Sequence, residues 1–141
     1  MDIKKLLMGG IIAGILFFLL GWLAYGNLLA NFLATHTGSA GNLMRTDKDL
    51  QFLYLVIGNL SLGFALAFIF VKANISSLAS GLVTGGIVGL LISVGKDSIL
   101  YGTTVAISKT GMAADVAIIT VMWAIAGAVV GAVMGMGKKP A

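Results

Sequence analysis

Four long stretches of this sequence carry no charged side chain, and this spacing of charge restricts the fold more than any other feature. The stretches are 6–44, 50–71, 73–95 and 116–137. Each reaches the roughly 20 residues that an α-helix needs to cross the hydrocarbon core of a bilayer. Membrane β-strands would be about ten residues long and would alternate in polarity. The sequence therefore predicts an all-α fold, a four-helix transmembrane bundle.

Composition agrees with a single integral membrane domain, 1–141. Only 10% of the residues are charged, against about 25% in soluble domains. We expect helices at approximately 4–33, 49–72, 75–105 and 112–137. The chain has no cysteine and one histidine, His36, so we expect no metal site and no cofactor. The basic residues stand at the ends of the apolar stretches, which is typical of a topology signal and not of nucleic-acid binding.

Four spans place both termini on one side, and the basic residues predict that this side is the cytoplasm. It would carry Lys4, Lys5, Lys72, Lys138 and Lys139. The other side would carry Arg45, Lys48, Lys96 and Lys109. Because cytoplasmic loops are enriched in basic residues, we expect a multi-pass protein of the cell (inner) membrane, N-in and C-in. The short connection near 72–76 predicts that the second and third helices pack as an antiparallel hairpin.

Small residues recur every four positions in the last two predicted helices. They are Ser77, Gly81, Gly85, Gly89 and Ser93, and then Gly127, Gly131 and Gly135. In lipid, helices associate through close van der Waals contact, and small residues permit it. These glycine-striped faces are predicted to be helix-packing surfaces. The pattern leaves open whether they pack within one chain or between the subunits of a homo-oligomer.

Four residues form a speculative polar site: Asn59, Lys96, Asp97 and Tyr101. An amide inside a span, like that of Asn59, either hydrogen-bonds to a neighbouring helix or serves a function. Lys96 and Asp97 follow the third apolar stretch, and Tyr101 shares the helix face of Asp97 if the helix continues. Asp97 and Tyr101 would then line an external vestibule, or else these are interfacial residues that reach water. Asp115 is interpreted as a favourable charge at the start of the fourth helix.

No catalytic residue is predicted, and we expect no enzyme. The chain has no glutamate, and its first stretch has no acidic side chain, which disfavours proton-coupled exchange. His36 falls in a loop, so no Ser–His pair is available inside the bilayer.

Three short segments resemble the small four-span bacterial inner-membrane proteins of the domain-of-unknown-function type. They are Gly-Trp-Leu-Ala-Tyr-Gly at 21–26, Gly-Asn-Leu with Gly-Phe at 58–64, and Lys-Asp to Tyr-Gly at 96–102. The glycine-striped last helix also fits. This resemblance implies a compact four-helix membrane bundle and brings no activity, cofactor or substrate with it.

The leading hypothesis is a non-enzymatic membrane protein, a scaffold or accessory subunit whose partners are the lipid bilayer and a homo-oligomer or an unknown membrane protein. It rests on packing surface and on the lack of embedded charge. An alternative is a homo-oligomeric channel or transporter for a small, weakly polar solute. A second alternative is a protein that binds lipid or an apolar ligand, which would need a pocket among Trp22, Tyr54 and Trp123.

Overall fold

A computed structural model describes residues 1–41 and 43–136. These residues form one short and four long helices: α1 (Ile3–Leu23), α2 (Ala30–Thr35), α3 (Phe52–Lys72), α4 (Leu78–Thr103) and α5 (Lys109–Gly135). The four long helices are each long and apolar enough to cross a membrane. The predicted all-α four-helix bundle is confirmed.

Polar side chains start three of the helices. The first amides of a helix have no partner inside it, so a preceding carboxylate or hydroxyl stabilises the start. Asp2 accepts a hydrogen bond from the Lys5 amide at the start of α1, and Ser77 does the same for α4. Ser108 accepts from the Gly111 amide, so α5 begins at Lys109 and not at the predicted residue 112. The predicted end at residue 137 lies outside the described residues.

The prediction of one continuous helix over 4–33 is wrong. A π-helical turn, Ala24–Leu28, follows α1, and Leu29 leaves helical geometry at φ −118° and ψ 5°. Glycine is a poor helix former, and Gly26 lies in this turn. The side chain of Asn27 donates a hydrogen bond to the Trp22 carbonyl at 3.1 Å, which stabilises the turn. The chain restarts as the separate α2.

The four long helices pack in the order α3, α1, α5, α4. Helix α1 contacts both α3 and α5, whereas α4 packs almost entirely on α5 within the described residues. Helices α3 and α4 make at most marginal contact, so the predicted hairpin is wrong. A short turn joins α3 to α4, but their small-residue faces are directed at different helices. The face of α3 packs on α1, and the face of α4 packs on α5. Close packing on those faces leaves little for the α3–α4 pair.

The core lies between α1, α3 and α5, and bulky apolar side chains fill it. Its largest members are Phe17, Leu66, Phe70, Trp123, Val130 and Met134. The rings of Phe17 and Trp123 pack with centroids 4.9 Å apart. Helices α1 and α3 cross where Gly63 meets Gly14, and a Cβ on Gly63 would lie 2.8 Å from the Gly14 Cα. Beyond this crossing α3 leaves the bundle, and residues 51–58 are all exposed.

We call the two ends of the bundle the terminal end, where α1 starts and α5 finishes, and the loop end. At the loop end the first connection is tied to the turn between α4 and α5. The Ala40 amide donates to the Val105 carbonyl at 3.1 Å, and the Ser108 hydroxyl donates to the His36 carbonyl at 2.6 Å. These bonds close the loop end over α1, α4 and α5.

Candidate functional site

The packing of α4 on α5 fixes which residues face each other. A Cβ on Gly81 would lie 3.0 Å from the Gly131 Cα, and a Cβ on Gly85 would lie 3.0 Å from the Gly127 Cα. Because the helices are antiparallel, each step of four residues up α4 matches a step of four residues down α5. Continuing this register brings Asp97 opposite Asp115.

The small residues predicted to pack helices lie on these two facing sides, except that Ser77 precedes α4 as its N-cap and has an exposed side chain. Gly81, Gly85, Gly89 and Ser93 are buried on α4. On α5, an added Cβ at Gly127, Gly131 or Gly135 would run into a backbone carbonyl of Gly81, Ser77 or Ser76. The structure therefore places these faces inside one chain.

At the loop end of this interface, four polar side chains from three helices meet. The Lys96 Nζ lies 2.9 Å from Asp97 Oδ1 and 2.7 Å from Asp115 Oδ2. The Tyr25 hydroxyl, from the π-helical turn after α1, donates a hydrogen bond to Asp115 Oδ1. We call Tyr25, Lys96, Asp97 and Asp115 the ionic cluster.

The two carboxylates of the ionic cluster differ in their environment. Asp115 is 13% exposed and has a partner on each oxygen, Lys96 on one and Tyr25 on the other. Asp97 is fully buried, and neither of its oxygens accepts a hydrogen bond from the described residues. Its described partner is the Lys96 ammonium, which is itself 52% exposed. A buried carboxylate without hydrogen-bond donors is energetically costly.

The ionic cluster lies near the edge of the expected hydrocarbon core. Asp97 precedes the end of α4, and Asp115 follows the start of α5, by about six residues each, or roughly 9 Å of helix at 1.5 Å per residue. Helix α4, with 26 residues, is about 39 Å long. A hydrocarbon core of about 30 Å, centred on it, would begin roughly 5 Å from each end. Asp97 would then lie a few ångströms inside that boundary.

Only two of the four speculative polar residues, Lys96 and Asp97, come together. Asn59 donates to the Leu55 carbonyl of its own helix at 2.7 Å and contributes to no site shared between helices. Tyr101 lines a separate cavity of about 310 Å³ at the loop end, with Gly38 and residues of the α4–α5 turn. The expected vestibule of Asp97 and Tyr101 is not formed, because Asp97 is sealed from water while Tyr101 faces outward.

The interpretation of Asp115 as a helix-start charge is corrected by the structure. Because α5 begins at Lys109, Asp115 lies beyond the first turn, where the helix dipole acts. The four-residue spacing could have found it, since the step after Ser93 on α4 is Asp97 and the matching position on α5 is Asp115. No sequence signal points to Tyr25, whose role depends on how closely α1 approaches α5.

The pocket needed for the lipid-binding alternative is not formed by the three predicted aromatic residues. Trp123 is only 3% exposed and packs on Phe17 and Gly89 in the interior. Trp22 and Tyr54 are 64% and 70% exposed, on the outside of the bundle.

The fold and the ionic cluster define a multi-pass α-helical membrane protein. Among the described residues, no group of three or more His, Cys, Asp or Glu side chains could hold a metal ion. Comparison of the chain with protein-family models, with curated proteins and with solved structures finds no match.

Proposed function

We propose that this protein is a non-enzymatic scaffold or accessory subunit of the cell (inner) membrane, which packs against a transmembrane helix of another chain. The supporting observation is the loop-end half of α3, residues 52–58, which we call the free half of α3. Every residue in these two turns is exposed, so the described residues leave most of the surface of the free half uncovered. Most of its side chains are large and apolar.

The free half of α3 and the neighbouring part of α1 form an open wedge. The last close approach is at Gly14, where an added Cβ would lie 2.8 Å from the Leu60 side chain. Above it, Trp22 of α1 and Val56, on the α1-facing side of α3, are both exposed. Gly58 lies on the outer face of α3, in line with the exposed Ser61, Leu62 and Ala65, and a Cβ there would meet nothing within 4 Å. A partner helix could approach α3 closely at this glycine, and close approach is what drives helix association in lipid.

The core argues against a solute path through one copy. The bulky side chains between α1, α3 and α5 are at most 3% exposed, and α4 lies on α5 with near backbone contact. The channel or transporter alternative therefore needs a path between copies. The lipid-binding alternative would place an acyl chain in the wedge.

Assembly is tested with two glycine variants that should not harm the fold of the single chain. Gly58 on α3 and Gly95 on α4 are exposed and an added Cβ meets nothing at either, so we expect the fold to accept Leu at both positions. Native mass spectrometry on nanodiscs cut directly from the membrane should release the wild type together with a second chain. Gly58→Leu, which places a bulky side chain on the outer face of the free half of α3, should release the monomer, whereas Gly95→Leu should retain the complex.

The mass distinguishes the remaining alternatives. A second copy indicates a homo-oligomer and a different protein indicates a heteromeric assembly. A single copy carrying only lipid would support the lipid-binding alternative and overturn the scaffold proposal. Equal retention of the partner by Gly58→Leu and Gly95→Leu would remove the free half of α3 from the interface.

The proposed orientation puts the terminal end in the cytoplasm. Lys4, Lys5 and Lys72 lie there, and Lys138 and Lys139, outside the described residues, would add to that charge. Because the chain has no cysteine, single cysteines report orientation without background. A membrane-impermeant maleimide applied to intact cells should label Ser39→Cys in the first connection and leave Asn74→Cys unlabelled. The reverse pattern would invert the topology.

A further inference from the structure

We propose that the ionic cluster binds one monovalent cation, held chiefly by the Asp97 carboxylate. This inference goes beyond the scaffold role and does not depend on a partner chain. The starting point is the charge count: two carboxylates, Asp97 and Asp115, share a single ammonium, that of Lys96. The Tyr25 hydroxyl is neutral and adds no charge. The cluster is therefore one positive charge short of neutral, in a place where little water can screen the difference.

The missing charge belongs at Asp97. Asp115 already has Lys96 on one oxygen and the Tyr25 hydroxyl on the other. Asp97 is fully buried, its Oδ2 has no hydrogen-bond donor among the described residues, and its Oδ1 forms an ion pair with Lys96, while its carboxyl lies within hydrogen-bonding reach of the Asp115 carboxyl. A fully buried carboxylate oxygen without a donor is desolvated at a cost in free energy, and its attraction to a bound cation would offset that cost.

The atoms around Asp97 suit a small hard cation. One turn below it on the same face of α4, the Ser93 hydroxyl is also fully buried. Its proton is directed to the Gly89 carbonyl at 2.8 Å, which leaves the oxygen free to act as a ligand. The Asp97 and Asp115 oxygens that contact Lys96 lie at most roughly 6 Å apart, close enough to interact strongly. Oxygen donors of this kind bind hard cations, and one missing charge fits a monovalent ion.

The route to the site runs past Lys96. Its side chain is 52% exposed, whereas the Asp97 side chain is fully buried. A movement of the lysine towards water at the loop end would uncover Asp97 without separating α4 from α5. A proton and a metal cation such as Na⁺ both satisfy this chemistry, and the test below separates them.

The experiment measures the thermal unfolding of the purified chain in nanodiscs. Chlorides of Na⁺, Li⁺, K⁺ and N-methylglucamine are compared at equal ionic strength, and each is measured across a range of pH. A cation that binds only the folded chain should raise Tm by about 3 to 6 °C at ten times its Kd. Asp97→Asn leaves Lys96 and Asp115 in balance and so imitates the occupied site. This variant should fold and should not respond. Asp49→Asn, in an exposed turn before α3, is the matched control and should respond as the wild type does.

The outcomes are distinct. A rise of Tm with Na⁺ or Li⁺ that is lost in Asp97→Asn identifies a metal cation. A dependence on pH alone that is lost in Asp97→Asn identifies a proton, and it excludes His36, which that variant retains. A wild type that responds to neither overturns the proposal, as does a response that persists in Asp97→Asn. Because the wild-type measurement needs no variant, a poorly folding Asp97→Asn would not protect the proposal from refutation.

Discussion

Adding one methyl group to α4 should have opposite effects at two glycines ten residues apart. In Gly85→Ala the new Cβ would overlap the Trp123 carbonyl oxygen and lie 3.0 Å from the Gly127 Cα. Both are backbone atoms of α5, which cannot rotate out of the way. In Gly95→Ala the same Cβ would meet nothing within 4 Å. The comparison therefore isolates the close packing of α4 on α5 from the general effect of alanine.

The magnitudes follow from two contributions. Alanine in place of glycine inside a helix stabilises by about 0.5–1 kcal/mol, and both variants gain this amount. Gly85→Ala must also push the two helices apart, and overpacking of this kind typically costs about 1–3 kcal/mol. We therefore expect the free energy of unfolding of Gly95→Ala to exceed that of Gly85→Ala by about 1–3 kcal/mol, which is the overpacking cost.

The assay is reversible unfolding in mixed micelles, followed by tryptophan fluorescence. Trp123 packs against Gly89 in this interface and reports its opening. Gly89→Ala should resemble Gly85→Ala, because its new Cβ would overlap the Trp123 Cβ, an atom that no side-chain rotamer can move away. If Gly85→Ala and Gly95→Ala unfold with equal free energies, the packing of α4 on α5 is not the one described.

Two further changes test the loop end. Tyr25→Phe should lower the free energy of unfolding by about 1.5–3 kcal/mol, which is the usual range for a hydrogen bond to a charged group. A double-mutant cycle with Asp115→Asn checks this, because the loss should be smaller when Asp115→Asn is already present. Ser108→Ala removes the N-cap of α5 and the hydrogen bond to the His36 carbonyl, so we expect the free energy of unfolding to fall by about 1–2 kcal/mol. Hydrogen exchange of the Gly111 amide should become faster, and unchanged exchange would contradict the role of the cap.

The sequence carried the spans and the small-residue faces because both are local patterns. A run of apolar residues between charges specifies a membrane helix whatever its neighbours are. The four-residue repeat from Gly81 to Ser93 specifies one face of α4, and its next step is Asp97. The partner of Asp97 follows only when the same count is carried along α5 to Asp115. The four-residue spacing continues through Asp97, but Asp97 is polar and not small, so a search for small residues ends at Ser93.

Other features depend on geometry that no local pattern encodes. Residues 28–33 are apolar enough to extend the first helix, yet the chain turns at Leu29 because hydrogen bonding in the π-helical turn closes the helix earlier. That turn is also what presents Tyr25 to Asp115. The separation of α3 from α4 likewise depends on a competition between faces, with Gly63 directed at α1 and Gly81 at α5.

The packing of α4 on α5 has a consequence for how the chain is synthesised. The first span emerges from the ribosome long before the last one, and α4 packs almost entirely on α5 within the described residues. During synthesis α1 and α3 can pair at once through Gly14 and Gly63. Helix α4 must instead wait in the bilayer with its small residues and Asp97 uncovered. A chain stopped before α5 would leave the Asp97 carboxylate, which is buried in the folded protein, facing lipid. An uncovered carboxylate of this kind would allow membrane quality control to recognise the unfinished protein.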